Sequence, residues 1–256
     1  MRYFFFTVLL LLSVQLSAQH SSFMRSGKIV FERSVNKYTA VENFVRETSG
    51  LPANDIYNYM QAFRAGTSQF WTSYFELLFD SAHTLYQPQD PNLKYPDDFY
   101  VPVAYKNKVL NNIPSRESFM VRQVFDKTFY VRDTMRHIRW KLTEEIREIA
   151  GYQCRRANAL IADSVYVIAW YADDIMTKGG PESFNGLPGM ILGVAIPHEH
   201  ITIFAQQVQE EAMTTLTLPE QTREDILTHA TLLVQIKKML AQFRLSYSWM
   251  NFFIAM

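Results

Sequence analysis

The sequence predicts an α+β, β-rich fold in which a single curved antiparallel sheet, open-barrel-like, packs against helices that include a C-terminal amphipathic one. Three observations carry this. Runs of alternating apolar and polar residues pair off around short turn segments through most of the chain. Two stretches, residues 36–65 and the segment after Pro219, instead repeat their apolar residues at helical spacing. In Val165–Tyr171 both alternating sets, Val165/Val167/Ala169/Tyr171 and Tyr166/Ile168/Trp170, are apolar or aromatic. A strand of that kind needs cover on both faces, and the C-terminal helical segment is the candidate for the second.

At the N-terminus, Arg2, the apolar stretch Phe4–Leu12 and the small residues of Leu16-Ser17-Ala18 read as a cleavable secretory signal peptide over residues 1–18. Polar Ser13, Gln15, Ser17, Gln19 and His20 end the stretch short of the roughly 20 apolar residues that a membrane-spanning helix needs. Residues 19–256 are therefore expected to form one exported domain, periplasmic or secreted, and not an integral membrane protein. Gly27–Ser34 alternates as a strand. Residues 36–65 form two helices separated at Leu51-Pro52-Ala53-Asn54, with Asn54 capping the second. Thr67–Asp80 and Ala82–Tyr86 make a hairpin turning at Asp80-Ser81, and five of the ten prolines then mark Pro88–Pro114 as a long loop or wrapped edge. Phe119–Phe125 pairs with Thr128–Val131, and His137–Leu142 is a short strand centred on Trp140. Tyr152–Ile161 pairs with Val165–Ala172, and Met190–Ile196 with Ile201–Gln207. The last helix starts at about 219, with Thr217 and Glu220 as a capping box and Ile226, Ala230, Leu233, Ile236, Leu240 and Phe243 on its apolar face.

Composition narrows the function classes. The 256 residues are 48% apolar and carry 25 basic against 25 acidic side chains, so the chain as a whole lacks the basic excess that nucleic-acid binding draws on. The segment from Arg116 to Arg156 holds ten basic and six acidic residues interleaved with aromatics. That pattern fits a solvated outer face, or contact with anionic lipid headgroups or single-stranded nucleic acid, the last of which the expected export argues against. Cys154, the single cysteine, lies mid-strand on the inward side and reads as a buried, inert thiol.

Five of the nine glycines, Gly179, Gly180, Gly186, Gly189 and Gly193, fall within fifteen residues. They suit tight turns leading into a buried strand, with Gly189 needing a positive φ, rather than a phosphate cradle, because no Lys-Ser/Thr follows and no helix begins there. The motif Gly186-Leu187-Pro188-Gly189-Met190-Ile191 resembles that of the GLPGLI family of exported proteins, with Met190 in place of the expected leucine. Trp140-Lys141-Leu142-Thr143, Ile149-Ala150-Gly151-Tyr152-Gln153-Cys154, Ala169-Trp170-Tyr171 and Gly180-Pro181 extend the resemblance in order and approximate spacing, as does the opening strand Gly27–Arg33. The resemblance implies a β-rich exported protein of a Gram-negative bacterium and no known activity. By analogy alone it is similar to the curved sheets of periplasmic lipoprotein carriers.

Residues with catalytic potential are few. His198 and His200 flank Glu199 and would face one metal if the chain there were extended. Pro197 argues instead for a solvated turn, and a third ligand would have to come from Asp173, Asp174 or His137. No serine-nucleophile elbow or zinc-protease helix motif is present, and no cofactor is implied. The function expected is therefore non-enzymatic binding of an apolar ligand, a lipid or a partner peptide of the cell envelope. Candidate wall residues are Trp140, Tyr152, Trp170 and Tyr171, with Gly186, Leu187, Pro188 and Gly189 at their edge. The alternative is a metal-dependent or hydrolytic enzyme with a site near residues 179–200.

Overall fold

The computed structural model describes residues 24–99, 101, 105–124, 127–162, 164–213, 215–217 and 225–242. The expected signal peptide, the start of the expected C-terminal helix at residues 218–224 and the helical-face residue Phe243 lie outside the described residues. Strand β1 (Gly27–Asn36) buries Ile29, Phe31, Arg33 and Val35 on one side, as period-2 alternation requires. It runs into helix α1 (Lys37–Thr48), whose first turn is capped by the Asn36 side chain accepting the Thr39 N–H at 3.3 Å. Helix α2 (Ala53–Gly66) begins before Asn54, the expected cap. Pro52, at φ −60° and ψ 152°, ends the extended approach, and its carbonyl takes the Asp55 and Ile56 N–H groups, which leaves Asn54 inside the first turn.

Strands β2 (Phe70–Phe79) and β3 (His83–Pro88) form the expected hairpin, with the Asp80 carboxylate accepting the N–H groups of Ala82 and His83. Strand β4 (Lys108–Asn112) lies inside the segment expected to be irregular: its five residues contain no proline, and they pair with β3 and with β5 (Glu117–Val124). β5 pairs with β6 (Lys127–Thr134). The expected strand around Trp140 is a connector instead, and β7 (Lys141–Ile149) starts just after it. β8 (Tyr152–Ile161) and β9 (Val165–Ala172) follow, then β10 (Met190–Ile196) and β11 (Ile201–Glu210). Finally β12 (Ile226–Leu227) lies parallel to β6, and α3 (His229–Gln242) packs against β6.

The twelve strands of the described residues join one sheet in the order β12-β6-β5-β4-β3-β2-β1-β11-β10-β9-β8-β7. The β12–β6 pair makes it mixed rather than wholly antiparallel. The chain begins at the centre with β1, meanders outward to β6, crosses to β7 at the opposite edge and meanders back to β11. Only residues 135–140 make that crossing. Between β6 and β7 lie ten strand spacings, about 48 Å if flat, whereas the linker from Thr134 to Lys141 spans at most about 25 Å. The sheet therefore folds over towards itself. The β7 end shows it: the Arg147 guanidinium lies 5.6 Å from the ring centre of Trp170 on β9 and 4.8 Å from that of Phe204 on β11.

Two further expectations are corrected. The double cover of β9 holds only at its end, since Tyr166 is 41% exposed whereas Trp170 is buried; Phe204 and Arg147 supply that cover, while α3 sits at the other end of the strand order. Helix α3 starts at His229, after Ile226-Leu227 has paired as β12. Thr228 caps it by accepting the Thr231 N–H at 3.2 Å, and Leu232, Ile236 and Leu240 are its buried stripe. Thr217, half of the expected capping box, lies in irregular chain. Among the described residues no helix is long and apolar enough to cross a membrane.

Candidate functional site

The loop between β9 and β10 runs through the interior, with every residue from Gly179 to Asn185 buried. It is tied down along its length. Thr177 Oγ1 donates to the Asp80 carbonyl at 2.8 Å, the Ile191 N–H reaches the Gly179 carbonyl at 2.9 Å, and the Trp140 indole N–H donates to the Asn185 carbonyl at 2.8 Å. Gly186, at φ +91°, makes the turn that only glycine adopts easily. Gly189 does not have a positive φ, contrary to expectation. Its requirement is close approach: a Cβ there would overlap the Ala172 carbonyl of the neighbouring strand.

The loop places Glu182 in a fully buried polar cluster. Its φ of +52° is strained for a non-glycine residue and aims the carboxylate inward, where Asn107 Nδ2 donates to Oε2 at 2.8 Å. Arg33 of β1 and Arg122 of β5 face this carboxylate, and Tyr86 of β3 lies beside it, stacked on Phe75 at 4.9 Å. Burial pushes the Glu182 carboxyl above its ordinary range, outweighing the two guanidiniums and the Asn107 bond, and it pushes the Tyr86 phenol well up. Among the described residues, Oε1 of Glu182, the three guanidinium nitrogens of Arg33 and the Tyr86 hydroxyl make no direct hydrogen bond. None of these residues was singled out from the sequence. Simple alternation would have flagged two of them, because Arg33 falls on the inward set of Ile29 and Phe31, and Arg122 on that of Met120 and Val124.

Beside this cluster, an open cleft lies under the crossing from β6 to β7. Two adjoining cavities, of about 440 Å³ and 260 Å³, share Arg116, Met135, Arg136 and His137. Met120, Asp133, Thr134 and His229 complete the larger; Ile113, Ile138, Lys178, Asn185 and Gly186 complete the smaller. The charge is one-sided, with Asp133 the single acidic residue of the lining, and that carboxylate already accepts the His229 and Thr134 N–H groups at 2.9 Å and 2.7 Å. Those bonds hold the Asp133 carboxyl below its ordinary value. Burial and neighbouring Arg122 bring Arg136 down to about 9, and burial with Arg122 and Arg136 brings His229 down to about 4. Arg136 Nη1 is buried with no hydrogen-bond partner among the described residues. Arg116 adopts φ +58°, and its carbonyl accepts the Met135 N–H at 2.7 Å, which locks the β4–β5 turn onto the crossing.

Of the expected wall residues, Gly186 lines the smaller cavity and Trp140 holds its turn from the side. Trp170, Tyr171, Leu187 and Gly189 are core, Tyr152 is half-buried and Pro188 is exposed. Residues 197–199 form a 3-10 turn and His200 is left-handed, so the extended geometry that would aim His198 and His200 together is not the one formed. Among the described residues no three His, Cys, Asp or Glu side chains gather as a metal site.

Comparison with known proteins agrees with this picture of a fold without an assigned chemistry. Residues 158–193, which span the last four residues of β8, all of β9, the buried loop and the start of β10, match a family described as "Protein of unknown function (Porph_ging)". No curated protein matches the chain. Crystal structures of PNGF-II in space groups C2 and P21 share the fold, with TM-scores of 0.51 and 0.52 and 15% identity in each case. Both alignments cover 86% of this chain, and 33% and 34% of the PNGF-II chain, so this chain spans about a third of that protein.

Proposed function

We propose that this is a non-enzymatic binding protein of the cell envelope, exported by a cleavable signal peptide, which holds an elongated amphiphile in the cleft under the β6–β7 crossing. The open-barrel-like curl of the sheet provides the frame, and the cleft itself carries the reading. Its larger and smaller chambers adjoin, and the apolar side chains of Ile113, Met120, Met135 and Ile138 lie in its wall among basic and polar ones. Methionine suits such a role because its unbranched, polarisable side chain adapts to irregular apolar shapes. A lipid, or an envelope protein offering an apolar segment, meets the same chemistry. Mass spectrometry under native conditions, on protein recovered from its own envelope fraction, is expected to show a retained amphiphile. An environment-sensitive apolar probe is expected to bind the folded, delipidated protein saturably. Binding that appears only on partial unfolding would show the apolar groups to be ordinary core.

A further inference from the structure

We infer that the ligand of this cleft ends in an anionic head, a carboxylate or a phosphate monoester, gripped by Arg136 within the cleft and by Arg116 at its rim; this rests on the binding role proposed above. Arg136 lines both chambers, and its buried Nη1 has no hydrogen-bond partner among the described residues. A buried guanidinium N–H without an acceptor is costly, and an oxygen acid offers it a charge-assisted bond. Asp133, the one acidic wall residue, is committed to the His229 and Thr134 N–H groups. Among the described residues neither Arg116 nor Arg136 forms an ion pair, so positive charge faces the cleft uncompensated. The first turn of α3 adds the positive end of a helix dipole at His229. Arg116 is held in the left-handed region, a conformation a glycine would adopt without strain, and its side chain lines both chambers. Apolar Met120 and Met135 then lie beside the head for the chain that follows it.

The test uses the mature, delipidated protein and four probes: decanoate, decyl phosphate, methyl decanoate and inorganic phosphate. Calorimetry is expected to show both amphiphilic acids binding at least about tenfold more tightly than the ester, the worth of one charge-assisted hydrogen bond. Arg136→Gln removes that advantage and leaves ester binding in place. Arg116→Gly weakens the acids as well, and because glycine suits the turn its effect cannot be put down to misfolding. On binding an acid, the His229 imidazole titrates at higher pH by NMR, because a nearby anion favours its charged form. Inorganic phosphate binding as tightly as decyl phosphate, in competition with it, supports the grip and assigns it to a free anion. Equal affinity for ester and acids overturns the anionic head while leaving the binding role intact. Failure of all three amphiphiles overturns the binding role itself.

Discussion

Replacing Gly189 by alanine tests whether the buried loop is held by backbone packing. Met190 pairs with Ala172 across β9 and β10, and a Cβ on Gly189 would overlap the Ala172 carbonyl oxygen, lie 2.7 Å from its carbon and 3.0 Å from Asp173 Cα. All three obstacles are backbone, so relief requires the two strands to part. Overpacking of that kind costs about 1–3 kcal/mol. At about 2–4 °C per kcal/mol for a domain of this size, Gly189→Ala is expected to lower Tm by roughly 2–12 °C. Gly186→Asn is the contrast. Its φ of +91° is positive, but the nearest atom to an added Cβ is Trp140 Nε1 at 3.8 Å, and asparagine tolerates left-handed backbone. The larger side chain at 186 should therefore cost less, under about 1 kcal/mol, than the smallest one at 189. Calorimetric melting of both variants decides it: if Gly189→Ala melts within error of the parent, or later than Gly186→Asn, close approach is not what selects glycine at 189.

The Cys154 thiol is fully buried and pushed up to about 12 by burial, so the native protein is expected to resist an aromatic disulfide reagent at pH 8 and to react once unfolded in urea; rapid labelling of the folded form would contradict this. Asp133 has a folded pKa below its unfolded value of about 3.9, so its stabilisation is present above that pH and is lost as the pH falls through the folded value. After allowance for solvent screening, Asp133→Asn should cost about 0.5–1 kcal/mol near pH 6. Urea titrations should show the difference closing towards pH 2, and a gap that persists there would place the effect in packing. N-terminal sequencing of the exported protein is expected to begin at Gln19, because Ala18 supplies the small residue before the cut; intact Met1 in the membrane fraction would defeat the proposed export.

By itself the sequence determined the local pairings. Four hairpins built from neighbouring runs around short turns were legible: β2–β3, β5–β6, β8–β9 and β10–β11 lie where their residues place them. Helices α1 and α2 were legible for the same reason, since a 3.6-residue period and a proline break are properties of neighbours in the chain. The five residues of β4, Lys108–Asn112, were not legible, because proline density speaks for the prolines themselves and not for the stretch between them. Tertiary structure decided whatever depends on residues far apart in sequence. The parallel pairing of Ile226-Leu227 with β6 needs strands nearly a hundred positions apart, and the fold-over of the sheet follows from a six-residue crossing between its opposite ends. The same holds for the site. Arg116, Arg136 and His229 sit on a turn, a crossing and a helix start, and carry no shared periodicity. Arg33, Arg122 and Glu182 meet because the sheet curls around a loop from its other half. A charge reveals its role only through what surrounds it, and here those surroundings are supplied by elements that the order of residues does not bring together.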